Sequence, residues 1–271
     1  MSESRPVPSP QEAERRADRR MYAAIGGLVI AWALVLVFRT PIQARYWAWQ
    51  LTRSDESNWQ RHYFHRLASL QDACAPAAGS LLRHARPEVR RNGATLLHYA
   101  RTPEARRLLL AGLSDPDAGV REAAAMGLAV NHDAEVQEAL CEILADFRSP
   151  NAALAAAALG RMGGDRASAA LLDALNREPP LEVKAEVIDG LGQIRVAEAV
   201  PLLEAALRDD RPLPAPPLSD RLAQGAFAAL LTGPATAPSA ARLAGAELEL
   251  PATISALAAR SLRLITGQGG L

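Results

Sequence analysis

One pattern of residues returns along the chain at intervals of 30 to 32 residues, with one longer interval of 39 residues between Val183 and Leu222. An apolar residue is followed four positions later by a small or apolar residue, and eight positions later by leucine. The clear copies are Val89/Gly93/Leu97, Val120/Ala124/Leu128, Val183/Val187/Leu191, Leu222/Ala226/Leu230 and Ile254/Ala258/Leu262, with Asn151/Ala155/Leu159 and Trp59/Tyr63/Leu67 as variants. A period of this length is typical of an array of short helical units.

The three positions of each copy fall on one stripe of an α-helix, because helical side chains four residues apart point the same way. A short break follows, as at 162–165, and a second apolar segment then begins, as in 136–144 and 169–175. A helix pair of this size cannot bury its apolar stripe alone, whereas stacked pairs bury it between neighbours. The pattern therefore predicts an all-α fold, a solenoid of about seven helix pairs over residues 54–267, with 268–271 as a tail.

Several short stretches within the copies have a characteristic composition: Pro87–Arg90, Ala118–Ala125, Ala156–Gly163, Glu182–Lys184, Gly190–Gly192 and Ala199–Leu203. In these stretches the chain resembles the short HEAT-like repeats that were first named for phycobilisome lyases. The resemblance implies a right-handed α-solenoid. Because such repeats serve many roles, the resemblance indicates the fold more than the function.

Basic residues follow the first apolar position in three copies, at Arg90, Arg121 and Lys184. The resemblance implies that these residues are rungs of a polar ladder between neighbouring repeats. The acidic residues available as their partners are Asp115, Asp117 and Asp146.

An uncharged run, Met21–Phe38, precedes the repeats. As a helix it would be about 27 Å long, close to the hydrocarbon thickness of a bilayer. Aromatic residues lie near both ends, as in the interfacial belts of membrane helices, at Tyr22, Tyr46, Trp47 and Trp49. The run predicts a transmembrane helix between a flexible charged arm at 1–20 and a juxtamembrane linker with an aromatic belt at 39–53. A buried core helix and a cleaved signal peptide remain alternatives.

Arginines are denser before this run than after it, with Arg15, Arg16, Arg19 and Arg20 ahead of it. The denser basic flank of a membrane helix usually stays in the cytoplasm. The expected localisation is therefore a single-pass membrane protein with an extracytoplasmic solenoid, which would be periplasmic in a bacterial cell. A solenoid on the cytoplasmic face is the alternative.

The composition of the repeat region bears on its chemistry. Residues 54–271 contain 22 basic and 26 acidic residues, and a weakly acidic domain does not favour nucleic acid as a partner. The sequence has no HExxH, Walker, GxSxG or GxGxxG motif. Cys74 and Cys141 lie in apolar helical patterns and are interpreted as small buried side chains. No catalytic residue, cofactor or metal ligand is predicted, and a lyase-type enzyme is an alternative.

Second helices usually line the concave face of such arrays, and a protein or peptide partner is expected there. The candidate partner-binding residues are Arg106, Arg107, Gln137, Glu138, Asp173, Glu204 and Arg242. The predicted function is thus a membrane-tethered scaffold or adaptor, and a structural subunit of a membrane complex is an alternative. Residues 209–218 contain four prolines and predict a stiff loop, either a tolerated surface insertion or part of a binding face.

Overall fold

The computed structural model describes residues 25, 27–29, 32, 39–53, 57–130, 133–224 and 251–267, and most of them are helical. The helices are α1 (39–53), α2 (Ser57–Ala68), α3 (Ala75–Leu81), α4 (Pro87–Leu97), α5 (Pro103–Gly112), α6 (Ala118–Val130), α7 (Ala134–Ala145), α8 (Ala152–Met162), α9 (Asp165–Asn176), α10 (Leu181–Ile194), α11 (Val200–Ala206), α12 (Leu218–Gln224) and α13 (Ile254–Thr266). Short 3₁₀ turns precede α3 and α11, at Gln71–Cys74 and Ala197–Ala199.

Helices α4 to α11 form two rows that run along the array. The first helices of successive repeats, α4, α6, α8 and α10, pack on one another in chain order. Each second helix packs against the first helix of the next repeat: α5 on α6, α7 on α8 and α9 on α10. Fully buried leucines join the two rows into one core, among them Leu128, Leu140, Leu159, Leu171 and Leu191. The predicted all-α solenoid is confirmed.

Local sequence explains where these helices begin. The Thr102 hydroxyl accepts a hydrogen bond from the backbone N–H of Ala105 (3.1 Å), and the Asp133 carboxylate accepts one from that of Glu135 (2.9 Å). Such N-caps satisfy amides that have no partner inside the helix. Pro87 and Pro103 occupy the first turns of α4 and α5, where the missing N–H removes no helical hydrogen bond.

Small side chains bring the first helices close together. A Cβ atom built on Gly160 of α8 would lie 2.5 Å from the Cα atom of Gly190 of α10. Carbon atoms do not approach so closely, so a side chain at 160 would push the two helices apart. The alanine-rich and glycine-rich first helices therefore set the spacing of the array.

The C-terminal part of the array differs from the predicted succession of copies. Beyond α11 the backbone of 209–213 pairs with that of 252–255, through the Leu213 N–H to Ala252 C=O (2.9 Å) and Ile254 N–H to Arg211 C=O (3.1 Å) hydrogen bonds. Helix α13 packs directly on α10 and α11. The copy predicted at Leu222/Ala226/Leu230 is thus not stacked between them: Leu222 belongs to α12, while 226 and 230 lie outside the described residues.

The N-terminal part overturns the predicted localisation. A span needs about 20 consecutive apolar residues in one helix, and in the described ranges no helix is long and apolar enough to cross a bilayer. Helix α1 carries Arg45 near its middle, and it buries Ala44, Ala48 and Leu51 in the protein core. The prediction of a single-pass membrane protein is wrong. Of Met21–Phe38, only 25, 27–29 and 32 are described, and the rest of that run lies outside the described residues, as does the arm at 1–20.

Residues 39–53, predicted as a linker, form a helix that packs on the start of the array. A groove between α1 and α3 is lined by Arg45, Ala48 and Trp49 on one side and by Pro76 and Ser80 on the other. Two aromatic residues of α1 lie against arginines: the Arg53 guanidinium is 4.7 Å from the centre of the Trp49 ring, and that of Arg66 in α2 is 5.9 Å from the centre of the Trp47 ring.

Candidate functional site

The second helices share one register along the array. One leucine of each second helix is buried between the rows, at Leu109, Leu140, Leu171 and Leu203. Because these positions are 31 or 32 residues apart, side chains at equal distances from them form continuous rows on the surface. The surface of the second helices therefore consists of parallel rows of side chains that run along the array.

An apolar row lies one position after the buried leucines. Leu110, Cys141 and Leu172 are each half-buried and pack partly against the core, so each leaves part of its apolar surface open. The exposed residues Arg107 and Glu138 lie two positions before Leu109 and Leu140, and the equivalent position of α9 is the exposed Ala169. A half-buried apolar row thus runs beside a charged row; we call the two together the second-helix surface.

Two of the predicted partner-binding residues are used inside the array. The Arg106 guanidinium forms an ion pair with Asp133 at the start of α7 (3.2 Å), and Gln137 Nε2 donates to the Gly163 carbonyl at the turn before α9 (3.0 Å). Each contact reaches from one repeat to the next. Arg106 and Gln137 therefore join repeats to one another.

Four other predicted residues are exposed on second helices, and two of these make ion pairs. Glu138 pairs with Arg166 of α9 (3.1 Å), and Asp173 pairs with Arg177 in the next turn of its own chain (3.6 Å). Exposed ion pairs contribute little to stability, so these side chains can exchange partners at little cost. Arg107 and Glu204 are exposed as well, and Arg242 lies outside the described residues.

A groove continues the second-helix surface at its C-terminal end. It lies between α9 and the turn that precedes α11, and its walls include Ser168, Ala169, Leu172, Ile194 and Val196. Asp165, Arg195 and Glu198 add charges of both signs at its rim. The groove combines apolar walls with polar edges, which is the composition of a peptide-binding surface.

The polar ladder predicted between repeats is present at two of its three rungs. Arg90 donates to both oxygens of Asp115 (2.8 and 2.9 Å), and the Lys184 ammonium lies 2.6 Å from Asp209, an acidic residue that was not among the predicted partners. The hydrogen bonds from Arg90 hold the pKa of Asp115 below its usual value. At the remaining position Arg121 donates to the carbonyls of Asp115 and Pro116, as Arg90 does to those of His84 and Ala85.

A buried polar network, which the sequence did not predict, joins α10, α12 and α13. Asp189 of α10 is 4% exposed and accepts hydrogen bonds from Arg260 of α13 (2.6 Å) and Ser219 of α12 (2.6 Å). Arg260 also donates to both oxygens of Asp220 of α12 (2.8 Å each). Arg221 of α12 forms an ion pair with Glu122 of α6. The network therefore ties α12 across the row of first helices.

Glu186 is the least satisfied member of this network. It is 6% exposed; its Oε1 accepts a hydrogen bond from the Leu218 backbone N–H (2.8 Å), and its Oε2 has no hydrogen-bond partner among the described residues. Burial raises the pKa of Glu186 to about 8, and the neighbouring Asp189 adds to this effect. Glutamate and aspartate in the middle of an otherwise apolar first helix were the signal that could have revealed the network.

The cysteines differ in their surroundings. Cys74 is buried, its Sγ lies 3.5 Å from the Leu96 carbonyl, and burial raises the pKa of its thiol to about 11. Cys141 is half-buried and belongs to the apolar row. A search of the described part of the chain finds no group of three or more His, Cys, Asp or Glu side chains that could hold a metal ion.

Several known proteins are similar to this chain. The family model for HEAT repeats matches residues 75–149 and 138–214, which together make up just over half of the chain. A search of curated proteins finds no match. Among solved structures, the CpcE–CpcF complex of phycocyanin lyase from Nostoc is 21% identical, with 70% of this chain and 76% of that chain covered and a TM-score of 0.41.

Two further solved structures have the same level of identity. Human deoxyhypusine hydroxylase in complex with glycerol is 22% identical, with 85% of this chain and 90% of that chain covered and a TM-score of 0.30. An engineered protein is 20% identical over 83% of this chain and 97% of its own, with a TM-score of 0.38. The match of the family model to most of the stacked repeats identifies this chain as a member of the HEAT-repeat family.

Proposed function

We propose that this protein is a scaffold that binds a protein or peptide partner along its second-helix surface and that it performs no catalysis of its own. The observation that carries the proposal is the half-buried apolar row Leu110, Cys141 and Leu172 beside the exposed charges of Arg107 and Glu138. A row of this kind offers one apolar contact per repeat, flanked by charges that orient the partner.

The other row of the array supports this choice of face. Helix α12 lies on the first-helix row, where it contacts α8 and is tied to Glu122 of α6 and Asp189 of α10. A partner that approached that row would have to displace α12. On the second-helix surface, Arg107 and Glu138 are exposed in the part of the chain that the structure describes.

The proposed partner is an extended or helical segment with charges of both signs. Arg107 and Glu138 are spaced by one repeat, and the groove beside α9 adds Asp165, Arg195 and Glu198. Opposite charges on the partner would fix its register along the repeats. Apolar side chains of the partner would contact Leu110 and Leu172.

A photo-crosslinking amino acid at Leu110, and in a second chain at Leu172, tests the proposal in the native cell. The proposal expects both positions to crosslink the same partner. A third chain with the crosslinker at the exposed Arg263 of α13, outside the second-helix surface, is the matched control and should give none. Equal crosslinking of the same partner from Arg263 would contradict the proposal.

Charge reversal gives the second half of the test. Arg107→Glu together with Glu138→Arg should lower the crosslinking yield from Leu172 at least tenfold, because two orienting contacts become repulsive. The circular dichroism spectrum should stay unchanged, since both side chains are exposed. If the yield were also unchanged, the charged row would have no part in binding.

A further inference from the structure

Helix α12 lies on the first-helix row in the manner of a bound peptide. Its Leu218 side chain is 1% exposed, and its Arg221 reaches Glu122 of α6 and comes within 3.9 Å of Glu186 of α10. The backbone of α12 contacts α8, which lies between α6 and α10. We call the surface beneath it, formed by α8 with Glu122, Glu186 and Asp189, the α12 seat.

The array is complete without α12. Backbone hydrogen bonds join 209–213 to 252–255, and we call the residues between them in sequence, 214–251, the excursion. Helix α13 then packs on α10 and α11, and the Ser261 hydroxyl donates to the Ile188 carbonyl of α10 (3.0 Å). Removing α12 would therefore leave the contacts between the stacked helices in place.

The seat is acidic, and a cation of α12 forms an ion pair with it. Of its three carboxyl groups, Glu122 pairs with Arg221 of α12 and Asp189 pairs with Arg260 of α13, while burial raises the pKa of Glu186 to about 8 and so favours its protonated form. A buried or half-buried carboxylate that loses its partner is strongly destabilised. An occupant that brings an arginine or a lysine to the position of Arg221 would pair with Glu122 as α12 does.

The fit of α12 to the seat is incomplete. Glu186 Oε2 is buried with no hydrogen-bond partner among the described residues, although Glu186 lies directly under the start of α12. Helix α12 has seven residues, which is too short to be stable as a helix in water without the seat. A ligand that supplied one more hydrogen-bonding group to Glu186 would satisfy a polar atom that α12 leaves without a partner.

We propose that the α12 seat is a second docking surface, for a partner helix that carries an apolar residue followed three positions later by an arginine, and that α12 occupies it within the chain as a stand-in for that helix. Leu218 and Arg221 define this spacing. The surface is on the other row of helices from the second-helix surface. Its failure would leave the function proposed above unaffected.

Direct binding of a peptide tests the proposal. The probe is a fluorescent peptide of 216–224, extended by an alanine-rich helical segment, and binding is followed by fluorescence anisotropy. The receptor is the full chain with Arg221→Glu, which places a carboxylate against Glu122 and Glu186 and so releases α12. The matched control is Arg208→Glu, the same change of charge at an exposed position of the surface.

The proposal expects the peptide to bind the Arg221→Glu chain at least tenfold more tightly than it binds the wild type or the control. A peptide with glutamate in place of its arginine should not bind. Adding Glu122→Arg to the Arg221→Glu chain restores the ion pair within the chain, so the peptide should again be excluded.

A second receptor covers the case in which Arg221→Glu fails to fold or keeps α12 in place. In this chain a glycine-serine linker replaces 214–251, which leaves the seat open. If this receptor unfolds cooperatively yet does not bind the peptide, the proposal is overturned. Equal binding of the arginine and glutamate peptides would overturn it as well, because the seat would then not distinguish a cation from an anion.

Discussion

A carboxyl group buried among apolar helices is difficult to ionise, and Glu186 is in that position. Its pKa is raised to about 8, whereas an exposed glutamate releases its proton near 4.5. Between these values the folded chain holds a proton that the unfolded chain has released. The free energy of unfolding is therefore expected to fall as the pH rises through this window, and to level off above it.

Urea unfolding of the wild type and of Glu186→Gln between about pH 5 and about pH 9 measures this contribution. Glutamine has the shape of the protonated glutamate and does not titrate, so the difference between the two chains isolates this one group. We expect the wild type to lose stability relative to Glu186→Gln as the pH rises. Parallel curves for the two chains would mean that Glu186 is ionised in the folded protein.

The close approach of α8 and α10 at Gly160 gives a second prediction at the level of a single residue. Gly160→Val should lower the free energy of unfolding by about 1–3 kcal/mol, the usual cost of overpacking a core. Ala169→Val adds a β-branched side chain at an exposed helical position and should have a smaller effect. Chemical denaturation of the two variants makes the comparison, and equal losses would mean that the helices separate freely at Gly160.

The polar contacts that join helices of neighbouring repeats differ in how far they are shielded from solvent. The Arg90–Asp115 pair is mostly shielded, with side chains 14% and 11% exposed, and Arg90 also donates to the His84 and Ala85 carbonyls. The Arg166–Glu138 pair is exposed at 51% and 57%. The two pairs offer a matched comparison because both link neighbouring repeats.

Arg90→Met is expected to lower the melting temperature clearly, because Asp115 and two backbone carbonyls lose their donor in a shielded site. Arg166→Met keeps a similar shape and removes an exposed ion pair together with a hydrogen bond to the half-buried Cys141 thiol, so it should lower the melting temperature much less. Differential scanning calorimetry distinguishes the two. A larger effect from Arg166→Met would contradict the assignment of Arg90 as a structural rung.

The positions of most helices were predictable from the sequence, whereas the neighbours on which they pack were less so. The spacing of apolar residues located the first helices α4, α6, α8, α10 and α13, since helical periodicity is a local property of the sequence. The rungs Arg90 and Lys184 were identified from their place in the repeat. The pattern at Leu222 also fits a helix, yet local periodicity does not specify which neighbour a helix packs on, and α12 lies across the row.

The candidate sites were predicted only in part for the same physical reason. Arg106 and Gln137 lie on the expected helices. Their contacts are with Asp133 and Gly163, which belong to the next repeat, so the local sequence pattern does not indicate them. Glu186 and Asp189 gain their roles from α12 and α13, which are distant in sequence. The charge-free run at 21–38 predicted a membrane span from hydropathy alone, whereas no helix in the described ranges is long and apolar enough to cross a bilayer.

At the scale of the whole molecule, the helices stack from α4 to α11 and then to α13. Helix α12 comes between α11 and α13 in the sequence but packs on α8. A chain in which a glycine-serine linker replaces 214–251 should therefore stay helical and unfold in one cooperative transition. Hydrogen exchange of α13 is the sensitive measurement, since this helix packs on α10 and α11. Loss of protection across α13 in that chain would show that the excursion holds it in place.

The excursion at 214–251 also has a consequence for the order in which the molecule assembles. The Arg90–Asp115 and Lys184–Asp209 rungs join residues 25 apart in sequence, whereas the Ser261–Ile188 hydrogen bond joins residues 73 apart. Closing a loop costs entropy that grows with its length, by about 0.6 kcal/mol for each doubling. Folding rates fall as the contacts become more distant along the chain. The N-terminal repeats can thus form before α13 packs on α10 and α11, and the array is completed at its C-terminal end.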